Sequence, residues 1–274
     1  MNFKKNKILN FFTFSILLCS IFFFSNLSGF EKRILHLTSL NKDLFSDVFM
    51  AIGTLDYFKT PTFEKCYIGG VKIDFGKKGA YYTPEKGLNY WQYYFEPVRV
   101  GWGIDLMPIG SSQLEGFAQH ARKNTTLQKS HEIITKFIHV KPFITEKVEN
   151  FYNNRLNGFF VIGVHYDPTD NSIPPSVFLD KLHSEILGVL SSYKPESFKL
   201  FLATTTPECI QFFETKFPGR VHATSLPIDT PYQLGAKLLV DCLLLSKSHF
   251  LLRTSNMTYV ASQFNPEIKF KDIK

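Results

Sequence analysis

From Gly158 to Phe264 the chain alternates short apolar runs with segments of helical period, and this alternation limits the fold more than any other feature. Phe159–His165 is a β-branched apolar run, suited to a strand buried on both faces. Pro175–Leu190 carries Val177, Leu179, Leu182, Ile186 and Leu190 at the spacing of a helix with one apolar stripe. Phe198–Ala203 reads as a second strand, Pro207–Phe217 as a second helix and Val221–Ala223 as a short third strand. Tyr232–Leu245 follows as a helix, Phe250–Leu252 as a strand and Asn256–Phe264 as a last helix. Strands separated by helices of this length form a parallel sheet with crossover helices, a Rossmann-like half.

The preceding residues are less regular. Asp43–Phe58 places Phe45, Val48, Phe49, Ile52 and Leu55 at helical spacing and is stopped by Thr60-Pro61. Cys66–Phe75 predicts a short strand pair around Gly69-Gly70, and Gly76–Gly87 is rich in turn residues. Asn89–Pro97 is a dense aromatic block. Gln113–Lys141 reads as mostly helical and Lys147–Leu156 as another helix. Phe30–Leu40 reads as a short stalk. Before it, Lys4, Lys5 and Lys7 precede an apolar run from Ile8 to Phe24. A basic terminus ahead of such a run predicts an uncleaved signal anchor with the lysines on the cytoplasmic side; cleavage and secretion is the alternative. The expected organisation is an anchor over 1–30, an N-terminal α/β domain over 31–157 and a C-terminal Rossmann-like domain over 158–274.

Composition narrows the partners. A hydrophobic fraction of 44% with 20% charged residues is that of a packed protein, and the net charge of +7 favours anionic ligands. No basic run follows the first few residues and no zinc-finger or helix-turn-helix spacing occurs, so nucleic acid is not an expected partner. Cys19, Cys66, Cys209 and Cys242 are far apart with no CxxC pair, which argues against a disulfide framework and a zinc site.

In an open α/β sheet the ligand lies beyond the carboxyl ends of the strands. Those ends are His165–Pro175, Thr204–Pro207 and Arg253–Asn256. His165 is a candidate contact, against the plainer reading of a strand-end histidine satisfied by local backbone. Asp167 is a candidate general base. Asp170 is either a ligand contact or the cap of the following helix. Arg253, just after a buried strand, requires an anionic partner: a phosphate, or a carboxylate such as Asp241 or one from the facing domain. Ser255 and Asn256 open a helix, whose N-terminus attracts anions. The aromatic block offers stacking for a sugar or packing between the two halves, and Glu96 within it is a reserve base. Asn124 and Asn256 begin glycosylation sequons. Taken alone, the spacing points to a nucleotide-like or phosphate-bearing ligand.

The same loops carry a resemblance. Val161-Ile-Gly-Val-His-Tyr-Asp-Pro-Thr-Asp170 resembles the family segment Ile-Gly-Val-His-x-Arg-x-Thr-Asp. Leu200-Phe-Leu-Ala-Thr-Thr-Thr-Pro207 is similar to a segment ending Ala-Thr-Asp-Asp/Glu-Pro. Val240–Ser255, with Ala261–Pro266, resembles a third. Together they look like the fucosyltransferase superfamily of α1,6-fucosyltransferases, rhizobial nodulation fucosyltransferases and protein O-fucosyltransferases. Phe45-Ser46, Gly53, Gly79–Pro84 and Asn89–Pro97 extend the likeness over most of Leu44–Pro266. The resemblance implies two facing Rossmann-like halves of the GT-B type. It also implies inverting transfer of fucose or a related sugar from a GDP-sugar to a glycan hydroxyl, with no metal or other cofactor. His165, Thr169, Asp170, Thr205, Asp241, Arg253, Thr254, Ser255 and Asn256 would meet the donor, and Asp167 and Arg253 would act in catalysis. The chain departs from the pattern in three places. Asp167 stands where the family has a phosphate-binding Arg, Thr205 or Thr206 where it has an acid, and the third segment is one residue shorter. The alternative function is a degenerate relative that binds a glycan or a protein without catalysis.

Overall fold

The computed structural model describes residues 33–39, 43–58, 68–74, 79–101, 106–168 and 174–273. The expected anchor over 1–30, and Thr169 and Asp170, lie outside the described residues.

The first sheet contains β1 (Arg33–Leu37), β2 (Ile68–Ile73), β3 (Arg99–Gly101) and β4 (Leu106–Pro108), in the order β3-β2-β1-β4. β1 is parallel to β2 and β4, whereas β3 is antiparallel to β2. The segment expected as a stalk therefore contains a central strand: Ile34, Leu35 and Leu37 are buried between two neighbours. The strand pair expected around Gly69-Gly70 is one strand, β2, whose partners come from distant positions.

Around this sheet lie α1 (Leu44–Phe58), the short α2 (Trp91–Tyr94), α3 (Ser111–Lys123), α4 (Leu127–Phe137) and α5 (Pro142–Arg155). α1 and α3 meet backbone to backbone. A Cβ at Gly53 would run into the Phe117 carbonyl, so glycine is what permits that approach. Thr126 separates α3 from α4, its hydroxyl accepting from the Lys129 amide at 3.2 Å as an N-cap.

The second sheet contains β5 (Phe160–His165), β6 (Phe198–Ala203), β7 (Val221–His222), β8 (Phe250–Arg253) and β9 (Lys269–Asp272). Its order, β7-β6-β5-β8-β9, is parallel throughout. The crossovers are α6 (Pro175–Tyr193), α7 (Pro207–Lys216), α8 (Pro231–Ser246) and α9 (Asn256–Phe264). The strand order reverses between β5 and β8, and such a switch point opens a crevice at the carboxyl ends. β9 is an addition to the sequence-based scheme. All four of its residues are exposed, so it shows none of the apolar signal of an internal strand.

One apolar core joins the two sheets' helices. Leu239, Val240, Leu244, Met257, Val260 and Ala261 of α8 and α9 pack in the same cluster as Phe49, Tyr94, Ile133 and Ile144. The aromatic block belongs to this seam: Tyr90, Trp91, Tyr93, Tyr94 and Phe95 are all buried. Tyr94 stacks on Tyr232 at 5.8 Å and donates its hydroxyl to the Tyr232 carbonyl at 3.0 Å. Gly235 makes room for that phenol, because a Cβ there would strike the Tyr94 hydroxyl. These rings thus pack between the halves, and Glu96 is exposed at the end of the block.

Candidate functional site

β5 and β8 deliver His165 and Arg253-Thr254-Ser255 to the switch point. Two hydrogen bonds tie these ends together. Thr254 Oγ1 donates to the His165 carbonyl at 2.9 Å, and Ser255 Oγ lies 2.7 Å from His165 Nδ1. The His165 ring is buried, and desolvation pushes its pKa down to about 4. The nearby Lys237 ammonium adds to that effect and the Asp167 carboxylate opposes it. At neutral pH the ring is uncharged, a polar group that holds position without adding a cation.

Ser255 is the N-cap of α9. The Thr258 hydroxyl accepts from the Thr254 and Ser255 amides, each at 3.0 Å. In this first turn, the N–H groups of Asn256 and Met257 have no partner among the described residues, and the helix dipole adds its positive end. Asn256 also spans the crevice. Its Nδ2 lies 3.4 Å from both Asp43 Oδ2 and Ser46 Oγ at the start of α1. Asp43 caps α1 through the Ser46 amide at 2.8 Å, and Arg122 Nη2 donates to Ser46 Oγ at 3.2 Å. The opposite wall carries Tyr81, buried against α1. Burial raises its phenol pKa to about 12, helped by the carboxylates of Asp43, Asp47 and Asp167. Asp47 is itself buried, bonded to the hydroxyls of Ser39 and Tyr90.

Two expected donor contacts have other partners. Arg253 lies on the sheet face beneath α9. Its Nε and Nη2 donate to Asp272 Oδ1 and Oδ2 at 2.7 and 2.9 Å, and Nη1 reaches Ser262 Oγ at 3.4 Å. The guanidinium is stacked between Tyr259 and Phe270, 4.3 and 3.5 Å from the ring centroids. Its carboxylate partner is thus Asp272 of β9 and not Asp241. Asp241 is only 1% exposed, and both of its oxygens are engaged. Thr224 Oγ1 donates to Oδ1 at 2.6 Å and Lys237 Nζ to Oδ2 at 2.5 Å. Burial pushes the Asp241 carboxyl up, while Lys237 and Thr224 hold against it. Each oxygen thus accepts one bond in the interior, and the buried carboxylate is not presented at the strand ends.

The remaining candidates sit on the rim. Asp167 is half-buried just past β5, and Thr205 is exposed in the turn after β6. The structure therefore gathers His165, Thr254, Ser255 and Asn256 at the switch point with Asp167 close by. It separates Arg253, on the sheet face, and Asp241, in the interior. Sequence reasoning missed Lys237, Tyr81 and the Asp43–Ser46 cap. Lys237 looks like an ordinary solvated residue in the run Gly-Ala-Lys-Leu-Leu, and its only warning was the Asp at i+4. Among the described residues no group of three His, Cys, Asp or Glu is placed to hold a metal ion.

No family model and no curated protein matches the chain. Solved structures do match. The NodZ α1,6-fucosyltransferase soaked with GDP-fucose superposes with a TM-score of 0.62 at 16% identity, over 86% of this chain and 93% of its own. An Arabidopsis thaliana FUT1 variant in complex with GDP gives 0.56 at 12% identity, over 94% and 73%. POFUT1 in complex with GDP gives 0.50 at 9% identity, over 90% and 99%. At such identities the shared property is the fold. The mixed α/β architecture with parallel sheets described above is that of these fucosyltransferases.

Proposed function

We propose that this chain is a glycosyltransferase that moves fucose or a related sugar from a GDP-sugar to a glycan hydroxyl. The supporting observation is the switch-point crevice. A neutral His165, fixed by Ser255 and Thr254, stands beside the open first turn of α9 in a fold whose solved examples include complexes with GDP and GDP-fucose.

In this reading the diphosphate rests on the Asn256 and Met257 amides. As the bond from the sugar to the diphosphate oxygen breaks, negative charge grows where those N–H groups and the helix dipole are already directed. The acceptor oxygen attacks the anomeric carbon from the opposite face, which inverts its configuration. Asp167, on the rim beside the crevice, takes the proton that the hydroxyl loses. Residues 1–30 anchor the enzyme in a membrane through a single segment.

A second reading has one specific observation in its favour. Both cations nearest the strand ends are already neutralised, Arg253 by Asp272 and Lys237 by Asp241, and Asp167 adds a carboxylate. That arrangement suits a degenerate relative that binds a glycan or a protein. Thermal melting with GDP, GDP-fucose, GDP-mannose and UDP-sugars separates the two. A nucleotide at a hundred times its dissociation constant stabilises by ~2.7 kcal/mol. A shift with GDP and GDP-fucose is the expected result. Unchanged melting with every nucleotide would sink the enzyme reading in favour of the second.

A further inference from the structure

The described residues contain a buried cation to which neither the sequence motifs nor the proposed chemistry assigns a role. Lys237 lies in the second turn of α8, 4% exposed. Its ammonium donates to Asp241 Oδ2 at 2.5 Å and to the Thr204 carbonyl at 3.2 Å. An ammonium has three donors, so one remains among the described residues. Thr204 directly follows Ala203, which pairs with His165 across β5 and β6. Through Thr224, the Asp241 side of the pair reaches the segment after β7. The pair therefore lies under the carboxyl ends of β6 and β7, one to two strand spacings from His165, or roughly 5–10 Å.

Replacing a buried ion pair by apolar residues is often neutral or stabilising, so stability alone is a weak reason for this one. Position supplies a stronger reason. With a diphosphate on the first turn of α9, beside β8 and β5, a nucleoside lying across the strand ends away from that helix would bring its base over β6 and β7, above Lys237. The ion pair is neutral overall, which disfavours a second anion there and suits an uncharged acceptor. Both Asp241 oxygens are already engaged, by Thr224 and Lys237, so the group this floor has to offer is the third N–H of the ammonium.

We propose that Lys237 is the base-reading residue of the crevice. Its spare N–H would bond a nucleobase carbonyl such as the O6 of guanine and reject the amino group that adenine presents at the same place. Asp241 and the Thr204 carbonyl position it. The inference rests on the reading of the chain as a nucleotide-sugar enzyme and adds the element that selects the base.

The test is calorimetric titration of the full chain with GDP, ADP and inorganic pyrophosphate, repeated for Lys237→Met. Because Lys237→Met strands a buried carboxylate, the double variant Lys237→Met/Asp241→Asn is measured beside it. The wild type should favour GDP over ADP. Both variants should lower that ratio by about 10- to 100-fold, as expected for one hydrogen bond to a charged group, with pyrophosphate binding unchanged. If the ratio survives, or if all three ligands weaken by the same factor, Lys237 is a structural stitch and the inference falls. If the wild type binds pyrophosphate but does not distinguish GDP from ADP, the inference falls alone. If it binds none of the three, the proposed function falls with it.

Discussion

Replacing His165 by Asn, and unfolding both proteins in urea from about pH 7.5 down to 4.5, isolates one buried group. Asn keeps a polar atom for Ser255 but does not titrate. In the unfolded chain His165 takes up its proton around 6.5, whereas the native ring resists to about 4. The native state then binds fewer protons than the unfolded state throughout that window. The neutral ring's contribution is whole above about pH 6.5, drains away as the pH falls toward 4, and changes no further below. At roughly 1.4 kcal/mol per unit the window amounts to about 3 kcal/mol. Asp241 works in the opposite sense: its raised carboxyl favours the native state as the pH falls. Wild-type data alone therefore mix the two, and the difference between wild type and His165→Asn is the quantity to follow. Wild type should lose about 3 kcal/mol more than the variant across the window. Parallel curves would mean that His165 is solvated or charged in the native protein, and the account of the switch point would be wrong.

Two further outcomes test the packing. Asp272→Ala removes the bidentate partner of Arg253 and should cost about 1–2 kcal/mol in a denaturant titration, less than a fully buried pair because the Asp272 side chain is 39% exposed. An unchanged midpoint would show that the rings of Tyr259 and Phe270 suffice to hold the guanidinium. Gly53→Ala drives a methyl group into the Phe117 carbonyl and should destabilise by about 1–3 kcal/mol. A neutral result would place α1 and α3 further apart than described.

How much of this was legible in the sequence depended on burial. β5, β6 and β8 are covered on both faces, so Phe159–His165, Phe198–Ala203 and Phe250–Leu252 stand out as apolar runs between helical stripes. β1 reads as a stalk because five residues between polar stretches give too short a pattern, although its neighbours bury Ile34, Leu35 and Leu37. β9 is the reverse case, an exposed edge strand whose Lys-Phe-Lys-Asp is indistinguishable from a tail. The site follows the same division. His165 and Ser255 are expected because ligands lie at the carboxyl ends of strands and at helix starts, whereas Thr254 enters only through the resemblance. The partner of Arg253 was missed because it sits on the unrecognised β9. The Asn256 contact with Ser46 joins residues 210 positions apart, beyond the reach of any local pattern. Lys237 was missed because a lysine in a helix is ordinarily solvated, and only the third dimension puts its ammonium under Thr204.

The stack of Tyr94 on Tyr232 has a consequence for movement. Two-lobed enzymes often admit substrates by swinging one lobe about a flexible linker. Here such a swing would have to part the stacked phenols, break the bond from Tyr94 to the Tyr232 carbonyl and wet the apolar layer shared by α8, α9 and the helices facing them. That layer resembles a domain interior more than a sliding interface. Opening is then a matter for the loops around the crevice, and the lobes should melt together in a single cooperative step.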